Sequence, residues 1–188
     1  MYGKTPNFLM GYGGGPKRLV AATNGKITMD EARFIVDGYN NGYAGLTDWK
    51  AKLLSQGRRL GYVETLGGRR RRLPDLNANL NSEDGWKDRS RAERQAINAV
   101  VQGTAAEICK EAMIRLDAAF EWPKCKMIIQ VHDEIVSQTP TDEVGIWKPI
   151  IEESMGNGMV LDANGTVAEG VELTVEAHYA GSWYDAKG

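Results

Sequence analysis

The chain has 188 residues, 42% hydrophobic and 26% charged, with a formal net charge of −2. That length allows one good-sized core, or one core with a mobile subdomain, and the near-neutral balance excludes a general polyelectrolyte binder. No apolar run reaches membrane-spanning length, the N-terminus lacks a basic stretch followed by an apolar one, and Cys109 and Cys125, the only cysteines, match no zinc or redox spacing, so the sequence reads as a cytoplasmic protein with reduced thiols and no membrane contact.

Met1 to Pro16 ends in the breaker GYGGGP. ITMDEARFIVDGYNNGY then has Thr28 as N-cap and Glu31 three residues on, a capping-box pattern that predicts a helix to about Asn40-Asn41. LTDWKAKLLSQGRRLGY repeats the device, with Thr47 as cap and Gly61 as stop. YVETLGGRRRRLPDL predicts a short hairpin about a Gly-Gly turn, followed by four arginines and Pro74. Polar NANLNSEDGWKD is a loop, and from about Ser90 to Phe120 the pattern is helical, with Ala96, Ile97, Val100, Val101, Ala105, Ile108, Met113 and Leu116 as an apolar stripe. KMIIQVHDEIVSQ reads as two β-runs meeting at a tight turn, EVGIWKPIIEESM as a helix with an internal Pro149, and VELTVEAHYA as a strand. The class is α+β, mostly helical with a small antiparallel sheet. Charge is uneven along it. Residues 51–100 hold eleven Lys/Arg against six Asp/Glu, and the last 48 residues are acidic. The basic segment fits either a local anion-binding face or a solvated charged surface.

Three groups of residues carry candidate chemistry. In QVHDEIV, Asp133 and Glu134 fall at the hairpin turn, where both carboxylates can approach one cleft. Oxygen ligands of this kind suit Mg²⁺, and the flanking Ile and Val runs would bury the hairpin and hold the acids on a rigid element. A solvated acidic turn is the plain alternative. His132 would contact a phosphate or sugar, or bond within its own turn. In KTPNFLMGYGGG, Lys4, Phe8 and Tyr12 recur every four residues and would share one helix face. An amine for phosphates and two rings for sugar and base would serve a nucleoside triphosphate. A Phe/Tyr core stripe is the commoner meaning of such a pattern. Gly13, Gly14 and Gly15 make a pliant exit, and a helix starting at Pro6 would leave Lys4 outside it. Finally, Arg94, Asn98 and Gln102 lie four apart on the long helix. Such donors can test base-pair geometry in the minor groove without reading sequence, or simply face solvent.

Together these stretches resemble the family A DNA polymerases, the DNA polymerase I-like enzymes. KTPNFLMGYG is similar to motif B on the fingers helix, and QVHDEIV to motif C of the palm. GYVETLGGRRRRLPDL and RAERQAINAVVQGTAAEICKEAMIRL are similar to the segments joining them, in the same order and spacing. The resemblance covers nearly the whole chain. It implies a fingers part over residues 1–60 and a palm part over 61–188, the latter carrying the motif C hairpin in a small antiparallel sheet. It implies that Asp133 is a catalytic metal ligand with Glu134 beside it, that His132 lies by the primer-terminal phosphate, and that Lys4 meets the incoming dNTP. Phe8 would pack on the nucleotide sugar, Tyr12 would sit near the nascent pair, and Gly13 would give the helix room to pivot. Arg94, Asn98 and Gln102 match positions that contact primer–template DNA, and Arg69, Arg70, Arg71 and Arg72 become phosphate contacts, though one or two would serve the fold.

The resemblance also implies a partner. The family's reaction uses two Mg²⁺ ions held by aspartates of motifs A and C, and nothing here resembles motif A. The expectation is a C-terminal part of a DNA-directed DNA polymerase, beginning inside motif B and active with an N-terminal fragment that supplies motif A. A split gene, an intein-type interruption or one piece of a larger chain would each produce it, with a phage source favoured. The rival expectations are a non-catalytic primer–template-binding module and, more remotely, a one-metal hydrolase.

Overall fold

The computed structural model of the chain describes residues 4–156 and 173–186. The elements in order are α1 (Lys4–Gly11), α2 (Pro16–Ala22), α3 (Met29–Gly42), α4 (Ala44–Leu60), β1 (Tyr62–Glu64), β2 (Arg70–Arg72), α5 (Gly85–Ala119), β3 (Lys126–Val131), β4 (Glu134–Gln138), α6 (Val144–Gly156) and α7 (Trp183–Ala186). Short 3₁₀ turns occupy Pro74–Asn77 and Thr141–Glu143. Two antiparallel hairpins, β1–β2 and β3–β4, supply the strands, so the α+β class holds.

Local chemistry accounts for most boundaries. The Thr28 hydroxyl accepts from the Glu31 N–H, and the Glu31 carboxylate accepts from the Thr28 N–H at 2.7 Å, closing a full capping box on α3. The Thr28 N–H bond, and then the Thr28 hydroxyl donating to the same carboxylate oxygen at 2.9 Å, hold the Glu31 carboxyl below the usual range. Gly61 ends α4 in the left-handed region, φ +76°. Thr47 does not cap α4. It lies one turn inside, its hydroxyl donating to the Tyr43 carbonyl at 3.4 Å, because α4 already starts at Ala44. α2 is an element the sequence reading missed, with Pro16 at its first position, where a missing N–H costs nothing. The VELTVEAHYA strand is not formed over residues 173–180. No described strand pairs with it, and the Ala177 N–H donates instead to Glu152 Oε1 on α6 at 2.9 Å. Its first two residues lie outside the described part.

The chain divides into two compact units, residues 1–64 with 70–101, and residues 65–69 with 102–188. β1 and the first half of α5 share the core of the first unit. Val63, Leu73, Leu76, Ala92, Ala96 and Val100 are buried together there, flanked by Trp49, Leu53 and Leu54. In the second unit Cys109, Ala112, Leu116, Cys125 and Trp147 are buried, and Phe120 meets Trp147 edge-on at 5.6 Å. The buried stripe of α5 differs from the expected one. Val101 and Ala105 face outward, whereas Thr104 is buried.

That burial seats the tip of the β1–β2 hairpin, residues Thr65 to Arg69, on the part of α5 in the same unit. The Leu66 N–H donates to the Thr104 hydroxyl at 3.2 Å. The Glu107 carboxylate accepts from the Thr65 hydroxyl at 2.8 Å, the Gly67 N–H at 3.2 Å and Arg69 Nε at 3.3 Å. Any side chain at Gly103 would collide with the tip, since a Cβ there would lie 2.6 Å from Thr65 Cγ2.

Candidate active-site hairpin and helix

β3 and β4 pair in register from Val131↔Glu134 outward, leaving His132 and Asp133 as a two-residue loop. His132 has φ +56°, and Asp133 is not in that region. Positive φ at the first loop residue alone is the sign pattern of a type II′ hairpin turn, which matches strand twist. Positive φ is uncommon for residues other than glycine, with histidine among the more frequent exceptions. Gln130 backs the turn: its Nε2 donates to the His132 carbonyl at 2.5 Å and lies 3.7 Å from Cys109 Sγ on α5. Asp133 and the His132 side chain are exposed, and Glu134 is half-buried as the first residue of β4. Trp183 Nε1 donates to Glu134 Oε1 at 2.5 Å.

The apolar flanks do not bury the hairpin as expected. Ile128 and Ile129 are 53% and 42% exposed, because no third strand covers this two-stranded sheet among the described residues. β3 also carries a bulge between Met127 and Ile129, a device that re-aims side chains on the bulged strand. Among the described residues no three His, Cys, Asp or Glu side chains gather to hold a metal ion.

At the other candidate site, α1 carries Lys4 and Phe8, whose side chains lie outside the described part, and Pro6 falls in the helix's first turn, so Lys4 is included. Tyr12 sits just past the last helical residue. The Gly14 N–H donates to the Leu9 carbonyl at 2.8 Å and the Gly13 N–H to the Met10 carbonyl at 3.1 Å, with Gly13 at φ +78°. This is a Schellman cap. A Cβ at Gly14 would lie 2.3 Å from Leu9 Cδ2. The glycine run therefore forms a defined cap. Lys50 of α4 adds a second clamp, its Nζ donating to the Met10 carbonyl at 2.8 Å. The ammonium meets the negative end of the helix dipole there, and burial pushes its pKa down.

Arg94, Asn98 and Gln102 follow one another at one-turn intervals on α5. Arg94 is half-buried, with Nη1 donating to Ser90 Oγ at 2.7 Å. Its Cγ lies 4.0 Å from where a Cβ of Gly13 would stand, so the end of α1 and the start of the stripe meet. Asn98 and Gln102 are exposed. The arginine run splits by role. Arg69 is paired with Glu107, and Arg70 with Glu64 at 2.8 Å and over the Tyr62 ring at 4.9 Å. Arg71 and Arg72 are exposed and make no ion pair among the described residues. Glu107, Gln130 and Trp183 were missed by the sequence reading. A buried carboxylate opposite a hairpin tip leaves no periodic signal, nor does a contact spanning 49 residues.

The sequence profile of DNA polymerase family A matches residues 1–185. A thermostable DNA polymerase I of Thermus thermophilus is 38% identical over 184 residues, 98% of this chain and 20% of that protein. DNA polymerase I of Lactococcus lactis subsp. cremoris is 35% identical over 88% of this chain and 18% of its own length. The chain thus spans about a fifth of the curated relatives it matches. The polymerase domain of Pol1 from M. smegmatis, solved with DNA primer–template and dNTP, superposes with a TM-score of 0.75 at 34% identity, over 85% of this chain and 27% of that one. The chain belongs to the family A DNA polymerases.

Proposed function

We propose that this chain supplies the nucleotide-binding helix, the primer–template face and part of the metal site of a DNA-directed DNA polymerase. The observation that carries this reading is Asp133, an exposed carboxylate at the tip of a paired hairpin whose turn is backed by Gln130. The complex of the M. smegmatis domain with primer–template and dNTP supports the choice of substrates. In the reaction the primer 3′-hydroxyl oxygen attacks the α-phosphorus of a dNTP, the bond to the bridging oxygen breaks, and pyrophosphate leaves.

The donors present suit Mg²⁺, which takes one or two protein carboxylates together with waters and phosphate oxygens. Asp133 and Glu134 would hold it, with the remaining acidic ligands supplied from outside this chain, by the same polypeptide or by an N-terminal partner carrying motif A. When bound, two such ions supply charge neutralisation at the α-phosphate and a more acidic primer hydroxyl. Lys4 meets the triphosphate, Phe8 the sugar and Tyr12 the nascent pair, while Gly13 gives the helix room to pivot. Arg94, Asn98 and Gln102 donate into the minor groove, His132 lies at the primer terminus, and Arg71 and Arg72 meet backbone phosphates. The reaction would take place in the cytoplasm of a bacterium or of a phage-infected cell.

Primer extension by this chain, combined with a chain supplying motif A, tests the reading. Asp133→Asn is expected to lower kcat on the order of a hundredfold or more, roughly 3 kcal/mol of transition-state stabilisation. Unchanged extension in that variant would remove Asp133 from the metal site. Primer–template binding with no extension under any complementation would favour the non-catalytic binding module.

A further inference from the structure

The bond from Trp183 to Glu134 ties the far C-terminal end of the described chain to the candidate metal site. α7 is a single turn, and its start is fixed. Ser182 Oγ donates to Asp185 Oδ2 at 2.5 Å, while the Asp185 N–H donates back to Ser182 Oγ at 3.2 Å. Trp183 is the first residue of that turn. Its backbone is thereby held, and its Nε1–H meets Glu134 Oε1. Trp183 is 39% exposed, so it is not simply a core residue whose N–H found a partner in passing.

A glutamate side chain has three rotatable bonds and loses appreciable entropy when ordered. Glu134 follows directly on Asp133, yet it stands on strand β4 while Asp133 is in the loop. Backbone geometry alone does not decide where its carboxylate points. An indole N–H is a donor only, so it orients a carboxylate without competing for a cation. Two lone pairs on each carboxylate oxygen leave acceptor capacity beyond one hydrogen bond. We propose that Trp183 is a positioning residue that sets the orientation of the Glu134 carboxylate beside Asp133. This inference rests on the polymerase reading above.

Two measurements test it. In the ¹⁵N–¹H spectrum of the chain, the indole N–H of Trp183 is identified by its loss in Trp183→Phe, which keeps an aromatic ring in α7. Glu134→Gln, a polar change of equal size, is expected to move that resonance and leave the other indole signals in place; an unmoved resonance overturns the contact. The second measurement is a double-mutant cycle in complemented primer extension. Trp183→Phe is expected to lower kcat by about fivefold, with the KM for dNTP within twofold, and to cause no further loss in a Glu134→Ala background. An equal loss in both backgrounds, or none in either, overturns the positioning role. Absence of extension by the unsubstituted chains would sink the polymerase reading and this role with it, while the resonance shift still decides the contact separately.

Discussion

Glu143 shows how a single half-buried carboxylate can tie several elements within one unit. It accepts from Lys124 Nζ, just before β3, and from Trp147 Nε1 of α6 at 3.0 Å. The Lys124 bond, then the Trp147 bond, hold the Glu143 carboxyl below its usual range, and the same bond to Glu143 raises the Lys124 ammonium. A carboxyl lowered on folding adds stability above its unfolded value, about 4.3, that fades as pH falls through the lower folded value. An ammonium raised on folding adds stability below its unfolded value, about 10.4, that fades as pH rises through the higher folded one. Glu143→Gln should therefore lower denaturant stability at neutral pH, with the gap closing in acid. Chemical denaturation at pH 7 and pH 3 checks this, and equal gaps at both would count against the linkage. Residue types foretold less here than at Thr28. The Thr28–Glu31 box spans three positions and is readable locally, whereas Lys124 and Glu143 are neighbours only once the β3–β4 hairpin closes.

At the scale of elements, the β1–β2 hairpin was legible from LGG between β-formers, but its seat on α5 was not. Three donors of the tip converge on Glu107, whose side chain is 13% exposed. Removing the acceptor breaks the bonds from the half-buried Thr65 hydroxyl and the exposed Gly67 N–H, so Glu107→Ala should cost about 1–2 kcal/mol. Arg69→Ala should cost less, about 0.5 kcal/mol, because that guanidinium is 60% exposed and screened by water. Thermal melts of the two variants give the comparison, and equal losses would argue that the carboxylate acts only through Arg69. The strand expected in VELTVEAHYA fails at this same scale. Alternation shows that a segment can be a strand, but a strand exists only when it pairs, and over 173–180 no described strand pairs with the segment.

For the whole molecule, a net charge of −2 conceals a basic stretch, and the structure sorts its arginines into occupied and open. Arg69 and Arg70 already face carboxylates, while Arg71 does not. If primer–template binding uses the open cations, Arg71→Ala should lower the slope of log K against log salt by about one, and Arg70→Ala by less. Binding isotherms at several salt concentrations measure this; identical slopes for both variants would return the run to an ordinary solvated face. By itself the sequence determined what is local or periodic: the capping box of α3, the Gly61 stop of α4, both hairpins, and Asp133 in a turn with Glu134 next to it. Only the tertiary structure decided that Glu107 takes the tip of the β1–β2 hairpin, that Lys50 braces the end of α1, and that Trp183 reaches Glu134. Those depend on residues tens of positions apart, whose meeting is set by packing and by the need of each buried donor for an acceptor.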